Sequence, residues 1–294
     1  MDGRRQLRKD QVELPRPIAE LLKGKVSVGR LFELVNEFAV EKRKRDLVIE
    51  RAQVAIKQVY DGFTPEERVR FFAMLYDQFS DRYDEHMGIE TRHYQAIEAV
   101  MQYAAPFLRM PMVDLTAGTG EPMKYAMGII ERSERKRELK IVEPLMAPVQ
   151  DSDEVAINEI SERMLAKAWA KLGKKVAHLN GSAYDFSLKG FRTVLCSQTF
   201  HLIKDEDKPR LVRAIHHALV PGGVAVVMEE DPFRISPTAP IESVALFIRA
   251  IAMPVSPQHL IGYFTANGFT KLQERAVAPI DEFHSMRLHL FEKR

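Results

Sequence analysis

The fold is decided by the stretch Pro111-Met112-Val113-Asp114-Leu115-Thr116-Ala117-Gly118-Thr119-Gly120, where an apolar approach ends at an acidic residue and a turn with two glycines follows. A helix-compatible segment, residues 121–130, comes next. This order predicts a buried strand, a tight turn and a helix start, which together present backbone N–H groups to a bound small molecule. Glycine suits the turn because a Cβ would block close backbone approach or a positive φ.

Strands and helices alternate after the glycine turn. The sequence predicts apolar strands over residues 154–158, 176–179, 193–197 and 224–229, and helices over residues 161–172, 208–219, 241–252 and 257–267. Two final strands, residues 271–276 and 285–292, are close enough in sequence to pair antiparallel. The pattern predicts an α/β fold with a doubly wound, seven-stranded, mostly parallel sheet and a ligand at the carboxyl ends of its strands.

Residues 1–75 differ from the rest because their pattern predicts helices only. Ser27 is a suitable N-cap for a helix reaching Tyr60, and Thr64-Pro65-Glu66-Glu67 is a strong start for the next helix. Over residues 1–60, fourteen Lys and Arg stand against nine Asp and Glu, a net charge of +5. We interpret this charge as a solvated helix face, with a surface for acidic lipid or nucleic acid as the alternative.

These patterns predict that the chain consists of a helical region, residues 1–75, and a cofactor-binding domain, residues 76–294. The apolar faces of the first region must pack against something, so we expect it to form a lid over the ligand edge. A twofold homodimer through the helix of residues 27–60 is compatible with this role.

Composition limits the classes of protein that the chain can belong to. It has 294 residues, a net charge of +2 and a single cysteine, Cys196, so a disulfide framework and a cysteine-based zinc site are excluded. No apolar run approaches the ~20 residues of a membrane span, and no secretory signal is recognisable. His216 and His217 have no further metal ligand at a suitable spacing. We expect a cytoplasmic protein without a metal, a nucleic-acid partner or stable membrane insertion.

The glycine turn does not fit the commonest nucleotide motifs. A dinucleotide fingerprint needs a third glycine where Met123 stands, so hydride transfer on NAD is a minor alternative. A phosphate-binding loop needs Gly-Lys-Ser or Gly-Lys-Thr, which the sequence lacks.

Five segments, in the expected order and spacing, resemble the class I S-adenosylmethionine-dependent methyltransferases, especially the small-molecule branch with the quinone-biosynthesis enzymes. The segments are Val113–Gly120, Glu159–Ala168, Gly181-Ser182-Ala183, Cys196–His201 with Leu219–Gly223, and Leu260–Phe269. The resemblance covers about residues 76–294. It implies a Rossmann-like methyltransferase fold, S-adenosyl-L-methionine as the cofactor and a small-molecule acceptor.

The resemblance also implies a set of cofactor-binding residues. The turn of Thr116, Ala117, Gly118 and Gly120 leaves room for the amino-acid tail of the cofactor, and Asp114 supplies a negative group near its ammonium. Glu159, followed by Ile160, would accept both ribose hydroxyls, as a carboxylate at the end of a strand can.

The remaining cofactor contacts come from later segments and from one preceding helix. Ser182 and Ala183 lie where the family contacts adenine, Ser197 ends the fourth strand, and Phe200 or Leu202 would pack on the ring. Tyr83, in a segment similar to the family's Phe-x-x-x-Tyr-Asp lid, would close over the methionine end.

The sequence departs from the family pattern in three places. Thr116 replaces the usual first glycine, and Ser182 replaces the usual aspartate. Residues 132–153 form an apparent insertion, which makes Glu143 a second candidate for the ribose contact beside Glu159.

The candidates for acid–base chemistry are His201, just after the fourth strand, and Glu229, at the end of the fifth. The structural alternatives are a core or helix-start histidine and a glutamate paired with Arg234. The function we infer is methyl transfer by in-line displacement to a small, partly apolar molecule. The alternatives are a catalytically inactive S-adenosylmethionine-binding protein and an NAD-dependent oxidoreductase.

Overall fold

The computed structural model describes residues 57–58, 60–85, 87–88, 93–138, 155–173, 176–231, 251–253, 255–279 and 285–294. These residues fall into two compact units, one within Met1–Arg70 and Ile235–Ala252, the other within Phe71–Arg234 and Met253–Arg294. Apart from a few terminal residues, the helices predicted before residue 60 and over residues 241–252 lie outside the described part. The homodimer expected through the first of them lies outside it too, and the division at residue 75 stays a prediction.

The sheet has seven strands, as predicted, and they lie in the order β3-β2-β1-β4-β5-β7-β6. The first five strands pair in parallel, and β7 pairs antiparallel with both β5 and β6. Their bounds are β1 Met112–Asp114, β2 Val155–Glu159, β3 Ala177–Asn180, β4 Phe191–Ser197, β5 Leu219–Asp231, β6 Phe269–Pro279 and β7 Ser285–Lys293. The mostly parallel sheet and its antiparallel final pair are therefore confirmed.

Six α-helices of the described chain accompany the sheet. They are α1 Pro65–Glu85, α2 His93–Ala104, α3 Glu121–Glu138, α4 Glu162–Leu172, α5 Lys208–Ala218 and α6 Pro257–Thr265. The predicted start of α1 is confirmed, because Thr64 Oγ1 accepts from Glu67 N at 3.2 Å and Glu67 Oε2 accepts from Thr64 N at 2.8 Å. None of the helices in the described residues has the length and apolar character that a membrane span requires.

Helix α3 is longer than the sequence predicted. It continues eight residues beyond Ile130 to Glu138, so the first part of the apparent insertion is helical. Charged residues dominate this extension, and they lack the apolar spacing on which the prediction relied.

Alternate strand residues pack into two separate cores, one on each face of the sheet. Met112, Leu195 and Val226 belong to the core under α2 and α3, whereas their sequence neighbours Val113 and Cys196 belong to the core under α5 and α6. Because successive side chains of a strand point to opposite faces, these apolar strands must be covered on both sides. Helices α2, α3 and α4 contribute to the core on one face, and α5 and α6 contribute to the core on the other.

The glycine turn lies where the strand order reverses. From β1 the chain proceeds to β2 and β3 on one side of the sheet, and then to β4 and β5 on the other. Asp114, the last residue of β1, pairs in register with Ile157 of β2 and Leu195 of β4. Loops at such a switch point separate and leave a crevice at the carboxyl edge of the sheet.

Gly120→Ala tests the close approach of α3 to α4. Gly120 has φ +87°, and an added Cβ would lie 3.1–3.2 Å from Leu172 and Ala168. Gly222 has φ +74° with nothing within 4 Å of its Cβ position, so Gly222→Ala measures the backbone strain alone. We expect Gly120→Ala to lower the free energy of unfolding in urea by about 1–3 kcal/mol more than this control. Equal losses would contradict the close packing.

Candidate cofactor site

The carboxylate of Glu159 joins the loops after β1 and β2. Its Oε2 accepts from Gly118 N at 2.7 Å, and its Oε1 accepts from Ile160 N at 2.9 Å and Ser161 N at 3.1 Å. Burial raises the pKa of Glu159, and the three backbone N–H groups oppose that rise. A carboxylate offers about four acceptor positions, so the described contacts use three and leave one on Oε2.

Tyr83 lies over the glycine turn. Gly118 has φ +55°, and a Cβ built on it would lie 3.7 Å from the Tyr83 hydroxyl oxygen. The ring is held in α1 by edge-to-face contacts with Tyr76 and Phe79, at centroid distances of 6.2 and 5.6 Å. Burial raises the pKa of Tyr83, and the nearby carboxylates of Glu159 and others raise it further. The phenol is therefore neutral, and it faces a negatively charged region.

Asp114 carries a buried oxygen that has no partner in the described structure. Its Oδ1 accepts from Thr116 N at 3.1 Å, whereas Oδ2 is buried and accepts no hydrogen bond. Burial raises the pKa of Asp114 to about 7, and the charge of Glu159 adds to this rise. An unsatisfied buried carboxylate oxygen is costly, so its position at the glycine turn indicates a site for a hydrogen-bond donor or a cation.

Thr116 connects the ends of β1 and β4. Its hydroxyl accepts from Ser197 N at 3.2 Å and lies 3.5 Å from Ser197 O. The threonine therefore uses its side chain to join two neighbouring strands. The neighbouring Ala117 is 2% exposed and donates its N–H to Asn158 O at 3.1 Å.

The loop after β3 brings Ser182 and Ala183 to the same edge of the sheet. Ser182 Oγ accepts from Tyr184 N at 3.2 Å and so caps a short 3₁₀ helix, Ala183–Asp185. Both residues are half-buried, as is Ile160 at the end of β2. Asn180 Nδ2 donates to Glu159 O and Ile160 O at 2.9 and 3.2 Å, which keeps the two loops together.

Glu229 and His201, the candidates for acid–base chemistry, form a buried pair. Glu229 Oε2 lies 2.8 Å from His201 Nδ1, and Glu229 Oε1 accepts from Thr199 N and Phe200 N at 2.7 and 2.8 Å. The pair therefore fixes the loop after β4 to the end of β5. The Phe200 ring is fully buried, 5.8 Å from the Phe264 ring, so this structure places it in the core.

An acidic stripe on α1 contacts the beginning of α4. Asp77 Oδ1 accepts from Ser161 Oγ at 2.5 Å and from Arg163 N at 3.2 Å. Asp81 pairs with Arg163 at 2.7 Å and with Lys167 at 3.4 Å. The Tyr83 helix is thus bound to the helix that follows Glu159.

The last member of the stripe, Asp84, contacts the glycine turn itself. Its Oδ1 accepts from Thr119 Oγ1 and from the Tyr94 hydroxyl, and Lys171 Nζ lies 3.3 Å from its carboxylate. Lys171 also pairs with Glu121 at 2.8 Å. Burial raises the pKa of Asp84, but its two hydroxyl donors and Lys171 outweigh that effect and hold the pKa below its ordinary value.

Sequence reasoning missed these contacts to α1, although a signal was present. Acidic residues stand at positions 77, 81 and 84, and basic residues at 163, 167 and 171, both at helical spacing. Asp84 itself ends the Phe-x-x-x-Tyr-Asp segment that contains Tyr83. Glu143, the second candidate for the ribose contact, lies outside the described residues.

The comparisons with known proteins agree with the fold and with the motifs. Residues 141–223 match the model of a family described as "Methyltransferase domain". This match starts after the glycine turn and runs from Ile141 through Glu159 to Gly223. Comparison of the sequence with curated proteins finds no match.

Three solved structures have a similar fold. Magnesium protoporphyrin IX methyltransferase (ChlM) from Synechocystis PCC 6803, with bound SAH, has a TM-score of 0.56 and 12% identity, covering 77% of this chain and 100% of that one. The DhpI–SAH complex has a TM-score of 0.54 and 15% identity, covering 77% and 98%. A possible histamine N-methyltransferase from Thermotoga maritima has a TM-score of 0.52 and 17% identity, covering 76% and 99%.

At these identities the structural neighbours establish the fold. The chain spans only 56% and 61% of two other, longer neighbours. The seven-stranded sheet with its antiparallel β7 is the Rossmann-like methyltransferase fold. Residues 141–223 also match the methyltransferase-domain model, so the fold and this part of the sequence are both similar to those of methyltransferases.

Asp114→Asn tests the buried carboxyl through the pH dependence of stability. The ordinary pKa of an aspartate is about 3.9, so from about pH 4 to 7 the folded state holds a proton that the unfolded state has released. Stability contributed by this group therefore falls as the pH rises through that window. We expect the free energy of unfolding in urea to be higher for Asp114→Asn than for the unchanged protein by more than about 1 kcal/mol at pH 8. At pH 4.5 the difference should be much smaller.

Asp205→Asn is the matched control, because Asp205 is an exposed carboxyl that Lys208 holds ionised through a hydrogen bond. This variant should keep the decline in stability between pH 4.5 and pH 8. If the stability of Asp114→Asn falls between pH 4.5 and pH 8 as much as that of the unchanged protein, the Asp114 carboxyl is not the group that causes the decline.

Proposed function

We propose that this protein is a class I methyltransferase that transfers a methyl group from S-adenosylmethionine to a small, partly apolar molecule by in-line displacement. The observation that carries the proposal is the unpartnered Oδ2 of Asp114 beside the glycine turn. S-adenosylmethionine has an ammonium group in its amino-acid tail, and a buried carboxylate oxygen is the partner that such a group requires. The residues present therefore fit the cofactor.

The turn of residues 116–120 would hold the amino-acid tail. Gly118 has no Cβ between the backbone and Tyr83, and its positive φ turns the chain away from the end of β1. Tyr83 would close the methionine end, since its neutral ring lies over this turn. Thr116 and Ala117 would hold the shape of the turn, because Thr116 donates its N–H to Asp114 and uses its hydroxyl on Ser197, and the buried Ala117 donates its N–H to Asn158 O.

Glu159 would bind the ribose through the remaining acceptor position on Oε2. Sequence reasoning expected both ribose hydroxyls on this carboxylate, but Oε1 already accepts from Ile160 and Ser161. We therefore assign one hydroxyl to Glu159. Adenine would lie against Ile160, Ser182 and Ala183, which are half-buried at the same edge.

The other contacts of this edge belong to the loop after β4. Ser197 remains among the proposed cofactor-binding residues because its backbone N–H donates to the Thr116 hydroxyl. The buried ring of Phe200 supports a core role instead of adenine stacking.

The bound cofactor supplies an electrophilic methyl group on a sulfonium, a good leaving group, so the protein needs to contribute mainly positioning and exclusion of water. His201 would act as a proton acceptor for an acceptor molecule with an acidic proton. Glu229 supports this role because it can hold the proton on His201 Nδ1, which makes Nε2 the basic nitrogen. Glu229 itself would position the imidazole and the loop after β4.

Calorimetry on the full chain tests the proposal against its alternatives. We expect binding of S-adenosylmethionine and S-adenosylhomocysteine and no binding of NADH. Binding of NADH with neither of the other two would favour the oxidoreductase. A screen of small hydroxyl, amine and thiol compounds with methyl-labelled cofactor then identifies the acceptor. Binding without transfer to any acceptor would favour an inactive binding protein, and His201→Gln should slow transfer without weakening cofactor binding.

Glu159→Gln tests the ribose assignment. The amide oxygen can still accept from Ile160 and Ser161, but the amide nitrogen would face Gly118 N and cannot accept a ribose hydroxyl. We expect the affinity for S-adenosylhomocysteine to fall more than about tenfold, since hydrogen bonds to a charged group contribute about 1.5–3 kcal/mol. Isothermal calorimetry measures this, with thermal unfolding as the check on folding.

Glu162→Gln is the matched control for this prediction. Glu162 is also a carboxylate in the segment after β2, but it is exposed on the first turn of α4. Its change should leave the affinity within about threefold. If Glu143→Gln weakens binding and Glu159→Gln does not, the ribose contact belongs to Glu143.

A further inference from the structure

The residue after β4 adopts an unusual backbone conformation. Gln198 has φ +50°, and it is the one non-glycine residue with positive φ in the described part of the chain. Its N–H donates to Met228 O at 2.7 Å, and its side-chain amide donates to Glu230 Oε1 at 3.1 Å. Such conformations cost about 1–3 kcal/mol and concentrate at functional sites, where surrounding contacts hold them.

Glu230, the partner of Gln198, is fixed from a second direction. His93 Nε2, on the first residue of α2, lies 2.5 Å from Glu230 Oε1. The side chains of Glu230 and His93 are only 9% and 14% exposed. His93 and Gln198, from separate elements, thus hold the Glu230 carboxylate in a largely buried position. A glutamate at the end of a strand is ordinarily exposed and needs no such partners.

A chain of contacts connects this carboxylate to the glycine turn. Gln198 directly follows Ser197, whose N–H bonds to Thr116 in the glycine turn. Glu230 is also one of the carboxylates that raise the pKa of the Tyr83 phenol, which faces Gly118. Glu230 therefore acts electrostatically on the same volume as the turn that would hold the amino-acid tail.

Four carboxylates act on the Tyr83 phenol and raise its pKa. They are the carboxylates of Glu159, Asp84, Glu230 and Asp114. Asp84 is paired with Lys171, and Glu159 is held by three backbone N–H groups. Of the four, Glu230 is the one positioned at the ends of β4 and β5, beyond the turn.

We propose that Glu230, held by His93 and Gln198, senses the charge on the sulfur of the methyl donor. The proposal rests on the proposed function, because it requires the cofactor in this site. The positive sulfonium of S-adenosylmethionine interacts favourably with the carboxylate, and the neutral thioether of S-adenosylhomocysteine does not. Glu230 thereby makes the site prefer the substrate form of the cofactor and weakens binding of the product form.

The test is the ratio of two dissociation constants, measured by calorimetry on the full chain at pH 8 and low salt. In Glu230→Gln the affinity for S-adenosylmethionine should fall at least about fivefold, whereas that for S-adenosylhomocysteine should change less than about twofold. Glu230→Asp should give an intermediate ratio. Glu98→Gln removes an exposed carboxylate from the helix that carries His93, and it should leave the ratio unchanged.

Two further measurements keep the proposal testable if Glu230→Gln unfolds. In the unchanged protein, the preference for the charged cofactor should change little with salt concentration, because a largely buried carboxylate is screened weakly. His93→Gln, which retains a donor, should preserve the ratio better than His93→Ala. A ratio that is the same in Glu230→Gln, or in His93→Ala, as in the unchanged protein would overturn the proposal. Failure of the unchanged protein to bind either ligand would instead overturn the proposed function.

Discussion

The cofactor site depends on the buried carboxylate of Glu159. Burying a charge is costly unless hydrogen bonds compensate, and Glu159 has three backbone N–H donors. Gly118 comes from the loop after β1, and Ile160 and Ser161 come from the start of α4, so a single side chain fixes the distance between two loops. The bond from Gly118 N to Glu159 also helps to hold the glycine turn in shape. The turn and the Glu159 carboxylate therefore form one hydrogen-bonded unit.

Lys171 contributes more to the position of α1 than the exposed ion pairs of that helix do. Asp81 and Arg163 are 65% and 53% exposed, so their pair contributes little to stability. Lys171 is only 19% exposed and lies between Asp84 and Glu121, whose carboxylates would otherwise be left near each other beside the turn. Removing one partner from such a buried group costs far more than breaking a surface pair. Since Asp84 is next to Tyr83, the Lys171 cluster helps to hold the end of α1 that carries Tyr83 beside the glycine turn.

The sequence allowed prediction of the strands of the described sheet, of the glycine turn and of the mostly parallel pairing, because these follow from local apolar patterns and from the spacing of strands and helices. It located the residues of the carboxyl edge for the same reason, since each follows a strand. Contacts between distant segments had no such signal: Glu229 with His201, and His93 with Glu230, join residues 28 and 137 positions apart. Nor could the direction of a single side chain be predicted, as Phe200 shows, because a residue after a strand can face either the crevice or the core.

The replacement of the usual first glycine by Thr116 has a structural explanation. At the end of β4 the sheet no longer supplies a partner for Ser197 N, and the Thr116 hydroxyl does so. A buried N–H without a partner is costly, so the hydroxyl compensates at a position where glycine could not. The bond also fixes Ser197 immediately before Gln198, whose positive φ then directs its side chain to Glu230. The departure from the family pattern therefore leaves the turn intact and joins it to the loop after β4. In this way the two sides of the crevice, one with Glu159 and the other with Glu230, are held in a fixed relation by residues of the turn itself.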